Sequence, residues 1–443
     1  MTLKLSAALA VLFFAATTNA ATPTTGYLPQ TSPAWLADIP LPSGVIKSWP
    51  QTGAVPSGPL PTTAAALDLT TGYPATFQIV TDAATDPQIV AVMKTIDWTK
   101  VPNVAPTTET TMTTYSPSDP YCWWTYNGCV TPKVDYIPPD ISNCPKEGTW
   151  GLTYDDGPMY YFPVTPENEK WAEPNLYNYL LAHNDQKANL MYYGSRIVGA
   201  PDAAQRGLND GHTICVHTWS HPYMTRLTNA QVVAEFYYGL KMIKQVLGIT
   251  PRCWRPPYGD VDDRVRSIAW QMGLRNIMWD LDTNDWQIPG DLVPGGTLPY
   301  SQANATVAGW LENRAKGNDT KVGHVVLEHE LSNSTITLAE FWLPTIQKEF
   351  QTMPATACND IAQPYWEESF VYPIQGTVAI SMNGSTTNVQ APQISGSTPS
   401  GTSSGSGAVS APTGASKTGG AGHAAVSKIT VFGLVAAAVA YIL

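Results

Sequence analysis

The sequence predicts an α/β protein in which a parallel sheet is wrapped by helices, and closure of that sheet into a barrel would bury it fully. Three observations carry this. Between Lys146 and Tyr372 short apolar runs alternate with helical patterns, and strand–helix alternation implies parallel strands with helices outside. One helical pattern, Ala230–Leu247, is clearly punctuated: Thr228 and Gln231 stand at capping-box spacing before it, and Gly248 stops it. Turn-forming stretches rich in Asp and His then follow the apolar runs, at the strand exits where such folds build their sites.

Taken in order, the runs Thr149–Tyr154, Ala188–Tyr193, Thr213–Val216, Asn276–Trp279 and His324–Leu327 read as buried strands. Residues 146–372 are the predicted catalytic domain. Before it, residues 21–145 are rich in Pro, Thr and Ala with weak periodicity, an irregular extension that either wraps the domain or is in part a propeptide. Its aromatic cluster Tyr121, Trp123, Trp124 and Tyr126, beside Cys122 and Cys129, is expected to pack rather than to stack on sugars. Residues 373–428 end the domain and continue as a disordered stalk of Ser, Gly, Thr and Ala, which cannot bury a core.

The two termini read as addresses. Lys4, the apolar run Leu5–Ala16 and the small residues Thr18-Asn19-Ala20 form a secretory signal peptide over residues 1–20. Residues 429–443 are an apolar tail, short of the ~20 residues a spanning helix needs. Small residues, a polar spacer and such a tail signal a glycolipid (GPI) anchor rather than a tail-anchored helix. Gly414, Ser416 and Gly419 are the candidate attachment sites.

Composition agrees with a secreted protein. Charged residues are 13% of the 443, about half the usual quarter. The net charge of −11 excludes a nucleic-acid partner, whose phosphates require a basic patch. The six cysteines are expected to form three disulfides, although fifteen pairings are open. No C-x-x-C pair occurs, so a cysteine zinc site is not expected. Cys144 and Cys358 bracket the catalytic unit and are expected to join its ends. Candidate glycosylation sequons lie at Asn304, Asn318, Asn333 and Asn383.

Five stretches carry the chemistry. Thr153-Tyr154-Asp155-Asp156-Gly157-Pro158 ends a strand with adjacent carboxylates; diverging there, one can bind a metal while the other faces a substrate. Alone, D-D-G-P is an ordinary turn. His217-Thr218-Trp219-Ser220-His221 sets two imidazoles four apart, which one helical turn would converge on an ion. Alone, such a pair is usually two surface histidines. One carboxylate and two imidazoles leave coordination positions open for water and substrate, as catalysis requires. Arg255-Pro256-Pro257-Tyr258-Gly259-Asp260 offers a rigid turn, a close backbone approach at glycine and an arginine able to orient a carboxylate bidentately. It also reads as a strand-exit turn with a structural ion pair. Asp282-Thr283-Asn284-Asp285-Trp286 and Leu327-Glu328-His329 add an acid-held histidine, able to protonate a leaving amine, and an apolar wall of Trp286 and Leu327.

In this order the five stretches resemble the motifs of the polysaccharide deacetylase (NodB-type) family, over about Lys146 to Tyr372. The termini resemble those of fungal cell-wall chitin deacetylases. The resemblance implies the family's distorted (β/α) barrel and a divalent metal, zinc first and cobalt as the alternative, on Asp156, His217 and His221. It implies Asp155 as general base, Arg255 as its tether, and His329 as general acid positioned by Asp282. Substrate-binding roles fall to the Tyr258 N–H, which would help stabilise the oxyanion, and to Trp286 and Leu327, which would line the acetyl pocket. The expected activity is removal of N-acetyl groups from chitin or its N-acetylglucosamine oligomers by a monomer at the cell wall, held to the membrane by its anchor. The alternatives are the same machinery on acetylxylan or peptidoglycan, and a non-catalytic chitin-binding wall mannoprotein. Tyr154 stands where family members often have Phe, beside the chemistry rather than in it.

Overall fold

In a computed structural model of the chain, residues 33–39, 42, 67–108, 110–159, 175–291 and 295–367 are described. The signal, stalk and anchor expectations, with Asn383, Gly414, Ser416 and Gly419, lie outside the described residues. The strands are β1 (Asn143–Cys144), β2 (Thr149–Asp155), β3 (Asn189–Tyr192), β4 (Thr213–Val216), β5 (Cys253–Trp254), β6 (Arg275–Asn276), β7 (Leu281–Asp282), β8 (Gly323–His329) and β9 (Gln351–Pro354). They form one sheet in the order β1-β8-β2-β3-β4-β5-β6, with β7 beside β8 and β9 beside β2. Each pairing is parallel except β1 with β8.

Every residue of β2, β3 and β4 is buried, which is why these strands read as continuous apolar runs rather than alternating ones. Their two faces serve different cores. Leu190, Tyr192, Ile214 and Val216 join the large cluster under the helices. Met191 and Cys215, one residue out of phase, join Cys144, Cys253, Ile277 and Val325 in a second cluster. That is the period-two alternation of a sheet covered on both sides. The ring closes through a segment just ahead of the predicted domain: Ile141 bridges Ile277 in parallel beyond β6, and β1 then pairs with β8.

Disulfides join Cys122 to Cys129, Cys144 to Cys358 and Cys215 to Cys253. The expected bracket is thus present, tying β1 to the short helix after β9. The long helix Asn229–Leu247 has its capping box from Thr228 and Gln231, and Gly248 ends it in the left-handed region. The predicted Asn276–Trp279 strand is shorter and shifted to Arg275–Asn276: Ile141 donates to the Asn276 carbonyl and accepts from the Met278 N–H, so the chain beyond β6 pairs with residue 141.

The described part of the extension lies over the barrel. Its helix Pro87–Met93, capped by Asp86, buries Ile89 and Val92 completely, and Tyr237 on the long helix donates to Gln88 at 2.9 Å. The aromatic cluster packs as expected: Trp123 is buried, stacks on Tyr126 and donates its indole N–H to Asp260 at 2.9 Å. Among the described residues no helix is long and apolar enough to cross a membrane. Of the sequons, Asn318 is exposed, while Asn304 and Asn333 are half-buried in helices.

Candidate active site

All five chemical stretches gather at one end of the sheet, because parallel strands deliver their C-terminal ends to the same side. Asp155 closes β2, and Asp156 follows it with φ +73°. This left-handed step swings the second carboxylate away from the first. The next residue must be small: a Cβ on Gly157 would lie 1.8 Å from Glu330 Oε1.

Asp155 Oδ1 accepts from Arg255 Nη1 at 2.7 Å. Arg255 is fully buried, and its remaining donors reach Thr153 Oγ1 and the Ile277 and Met278 carbonyls. The expected bidentate clamp is therefore a single bond, because the other arm of the fork is spent on the backbone of the β6 exit. Burial lowers the Arg255 pKa, and the Asp155 carboxylate opposes that shift.

His217 and His221 are not on a helical turn, as their spacing suggested. They flank an irregular loop after β4, with Thr218 at φ +74° and His221 at φ +62°. Glu235, from the long helix, holds that loop: Oε2 accepts the Trp219 and Ser220 N–H groups at 2.9 and 2.8 Å, and Oε1 accepts the Ser220 hydroxyl at 2.7 Å. The imidazoles converge nonetheless. Asp156 Oδ1 lies 3.1 Å from His221 Nε2 and 3.6 Å from His217 Nε2, and ligand atoms of all three lie within 4.8 Å of one another.

These residues fit a cation. Asp156 Oδ1 is buried without a hydrogen-bond partner. His217 Nδ1 is 2.8 Å from the Arg255 carbonyl, which places the proton there and leaves the Nε2 lone pair facing Asp156. Burial pushes His217 down to about 4, so it is neutral at ordinary pH. Burial alone would raise the Asp156 carboxyl, yet the imidazoles of His221, above all, and His329 hold it well below the usual carboxylate range.

His329 ends β8 directly beside Asp155, its register partner on β2. The acid that holds it is Asp285, not Asp282. Nδ1 is 2.7 Å from Asp285 Oδ1, and the His329 N–H donates to Oδ2 at 2.9 Å. Asn284, at φ +53°, turns the chain so that Asp285 faces the imidazole, while Asp282 accepts the Asn284 N–H at 2.8 Å. Burial works against a charged His329, but the Asp285 charge and hydrogen bond, helped by Asp156 and Asp155, raise it to about 10.

Tyr258 sits at φ +59°, half exposed, its ring 4.7 Å from that of His221. Gly259 follows because Trp124 of the extension lies where a side chain would go, 2.3 Å from a built Cβ. Leu327 is buried and Trp286 exposed. Asp156, Thr218, His221, Tyr258 and Asn284 all occupy left-handed backbone, a clustering of strain found at functional sites. Sequence reasoning missed Asp285 and Glu235 as site residues. Asp285 stood in the quoted stretch, and Glu235 was a lone acid within an apolar helix.

Residues 142–277 match the polysaccharide deacetylase family. This segment is a polysaccharide deacetylase domain. The match includes the Asp155–Asp156, His217–His221 and Arg255 stretches and stops short of Asp282 and His329. The deacetylase domain's chain is 42% identical over 288 residues to a chitin deacetylase of Amylomyces rouxii, covering 63% of this chain and 64% of that one. It is 43% identical over 277 residues to chitin deacetylase 2 of Cryptococcus neoformans var. grubii, covering 62% and 57%. The chain therefore spans less than two thirds of the length of these relatives. Among solved structures, the chitin deacetylase of Colletotrichum lindemuthianum superimposes with a TM-score of 0.40 at 23% identity, over 49% of this chain and 89% of that one.

Proposed function

We propose that the protein is a metal-dependent hydrolase that removes acetyl groups from the N-acetylglucosamine residues of chitin. The observation that carries this reading is the pairing of Asp155 with His329 on adjacent strands, beside the Asp156–His217–His221 cluster. A general base and a general acid thus flank one candidate metal centre. The likeness to named chitin deacetylases supports the substrate.

Asp156, His217 and His221 would hold a divalent metal, zinc by preference. When bound, such an ion supplies Lewis acidity toward the acetamide and the attacking water. Asp155, oriented by Arg255, takes a proton from that water. The Tyr258 N–H donates to the oxygen that gains charge. His329, protonated and held by Asp285, gives its proton to the departing nitrogen, because an amine leaves poorly without one. The products are acetate and a free glucosamine residue. Three disulfides and the signal-like N-terminus support action outside the cell, and the tail composition supports a GPI anchor.

Acetate release from N-acetylglucosamine oligomers of graded length, with product masses, tests the reading. Preference for acetylxylan or peptidoglycan would move the same machinery to another substrate. Binding without acetate release by zinc-loaded protein would favour the wall-binding alternative.

A further inference from the structure

The extension brings one aromatic side chain to the mouth of the site in an unusual conformation. Phe77 is 54% exposed and sits at φ +60°, where a bulky residue is a rare outlier. Its surroundings hold it there. The Phe77 N–H donates to Ser195 Oγ at 2.9 Å, and that hydroxyl donates to the Trp219 carbonyl at 2.7 Å. Two residues earlier, the Ala75 carbonyl accepts the Trp219 indole N–H at 3.3 Å. The Tyr73 ring stacks on Trp219, with centroids 5.5 Å apart. Residues 73–77 are thus fastened to the loop that carries His217 and His221.

The Phe77 ring then begins a continuous run of rings through the site. It meets Tyr193 edge-on at 6.1 Å, and Tyr193 lies 5.5 Å from His221. His221 meets Tyr258 at 4.7 Å, and Tyr258 stacks on Tyr223 at 4.1 Å. The middle of the run is covered, with Tyr193 buried and backed by the Arg196 guanidinium at 5.5 Å. Phe77, Tyr258 and Tyr223 are open to solvent.

We infer that Phe77 is a stacking platform for a sugar neighbouring the one that reacts, supplied to the deacetylase domain by its N-terminal extension. This rests on the polysaccharide reading above. The C–H face of a pyranose is flat and apolar, so a fixed, exposed ring beside the site is a surface it can cover without loss of hydrogen bonds to water. A backbone outlier kept in place by three separate contacts is the kind of strain that persists where it serves a ligand. The ring run gives continuity between this platform and the candidate metal ligand His221.

The test compares Phe77→Ala, Phe77→Leu and Phe77→Trp in the full chain. Steady-state acetate release is measured on N-acetylglucosamine dimer through hexamer, and hexamer binding by calorimetry. In Phe77→Ala and Phe77→Leu, KM and Kd for the hexamer should rise by about threefold to tenfold, with kcat and the dimer unaffected and the melting temperature unchanged. Phe77→Trp should restore hexamer affinity. Equal loss on dimer and hexamer, or no change in hexamer binding, overturns the platform. A wild type that releases no acetate, yet binds hexamer more tightly than Phe77→Ala does, would sink the catalytic reading and leave the platform standing. Absence of hexamer binding would overturn both.

Discussion

Both carboxylate oxygens of Asp285 are committed to His329: Oδ1 faces the imidazole Nδ1 at 2.7 Å, and Oδ2 accepts the backbone N–H at 2.9 Å. The imidazole is thereby fixed in orientation and held protonated, with its pKa raised to about 10. Removing the Asp285 charge lowers that pKa, so the acid loses its proton at lower pH. In Asp285→Asn the alkaline limb of kcat/KM should move to lower pH, and kcat should fall by about 10²–10⁴, the usual worth of a positioned general acid. Asp282→Asn, which removes a more distant charge, should shift the limb less. A limb that moves more in Asp282→Asn would reverse the assignment.

Asp155 and Asp156 are neighbours with separate proposed duties, and substitutions should separate them. Asp155→Asn should lower acetate release by about 10²–10⁴ while metal content, read by elemental analysis, stays at the wild-type level. His217→Ala should lose both metal and activity, and a chelator should reproduce that loss reversibly. Full activity in Asp155→Asn would remove it from the role of base.

Glu235 touches no proposed ligand, yet it fixes the loop between the two histidines. Glu235→Ala leaves the Trp219 and Ser220 N–H groups without their acceptor and frees the His221 side of the site. Metal affinity should drop by about 10- to 100-fold, as for other groups that orient ligands, and Glu235→Gln should retain part of it. Competition with a chromophoric chelator would measure this.

The Cys144–Cys358 disulfide ties two points 214 residues apart, at the ring-closing strand and behind β9. A paired Cys144→Ser, Cys358→Ser variant should lose about 2–5 kcal/mol of stability, read by chemical denaturation. The Cys122–Cys129 bridge closes a loop of separation 7, so its removal should cost less on loop-entropy grounds. Equal losses would count against that ordering.

The sequence by itself determined the strand–helix alternation, the long capped helix and the five chemical stretches. These are local signals: apolar runs, capping spacing and turn residues are written in neighbouring positions. Parallel pairing then brings all five stretches to one end of the sheet, so the gathering of Asp155, Asp156, His217, His221, Arg255 and His329 was legible as well. Tertiary structure decided what depends on backbone torsion and distant partners. Asp282 and Asp285 are chemically identical, and only the left-handed turn at Asn284 selects which one meets His329. The histidine loop takes its shape from Glu235 on another element, not from a helical repeat. Residues 141–144 close the ring through contacts with residues more than a hundred positions away. Phe77 reaches the site mouth because the extension is fastened to Trp219, a relation that no local pattern contains.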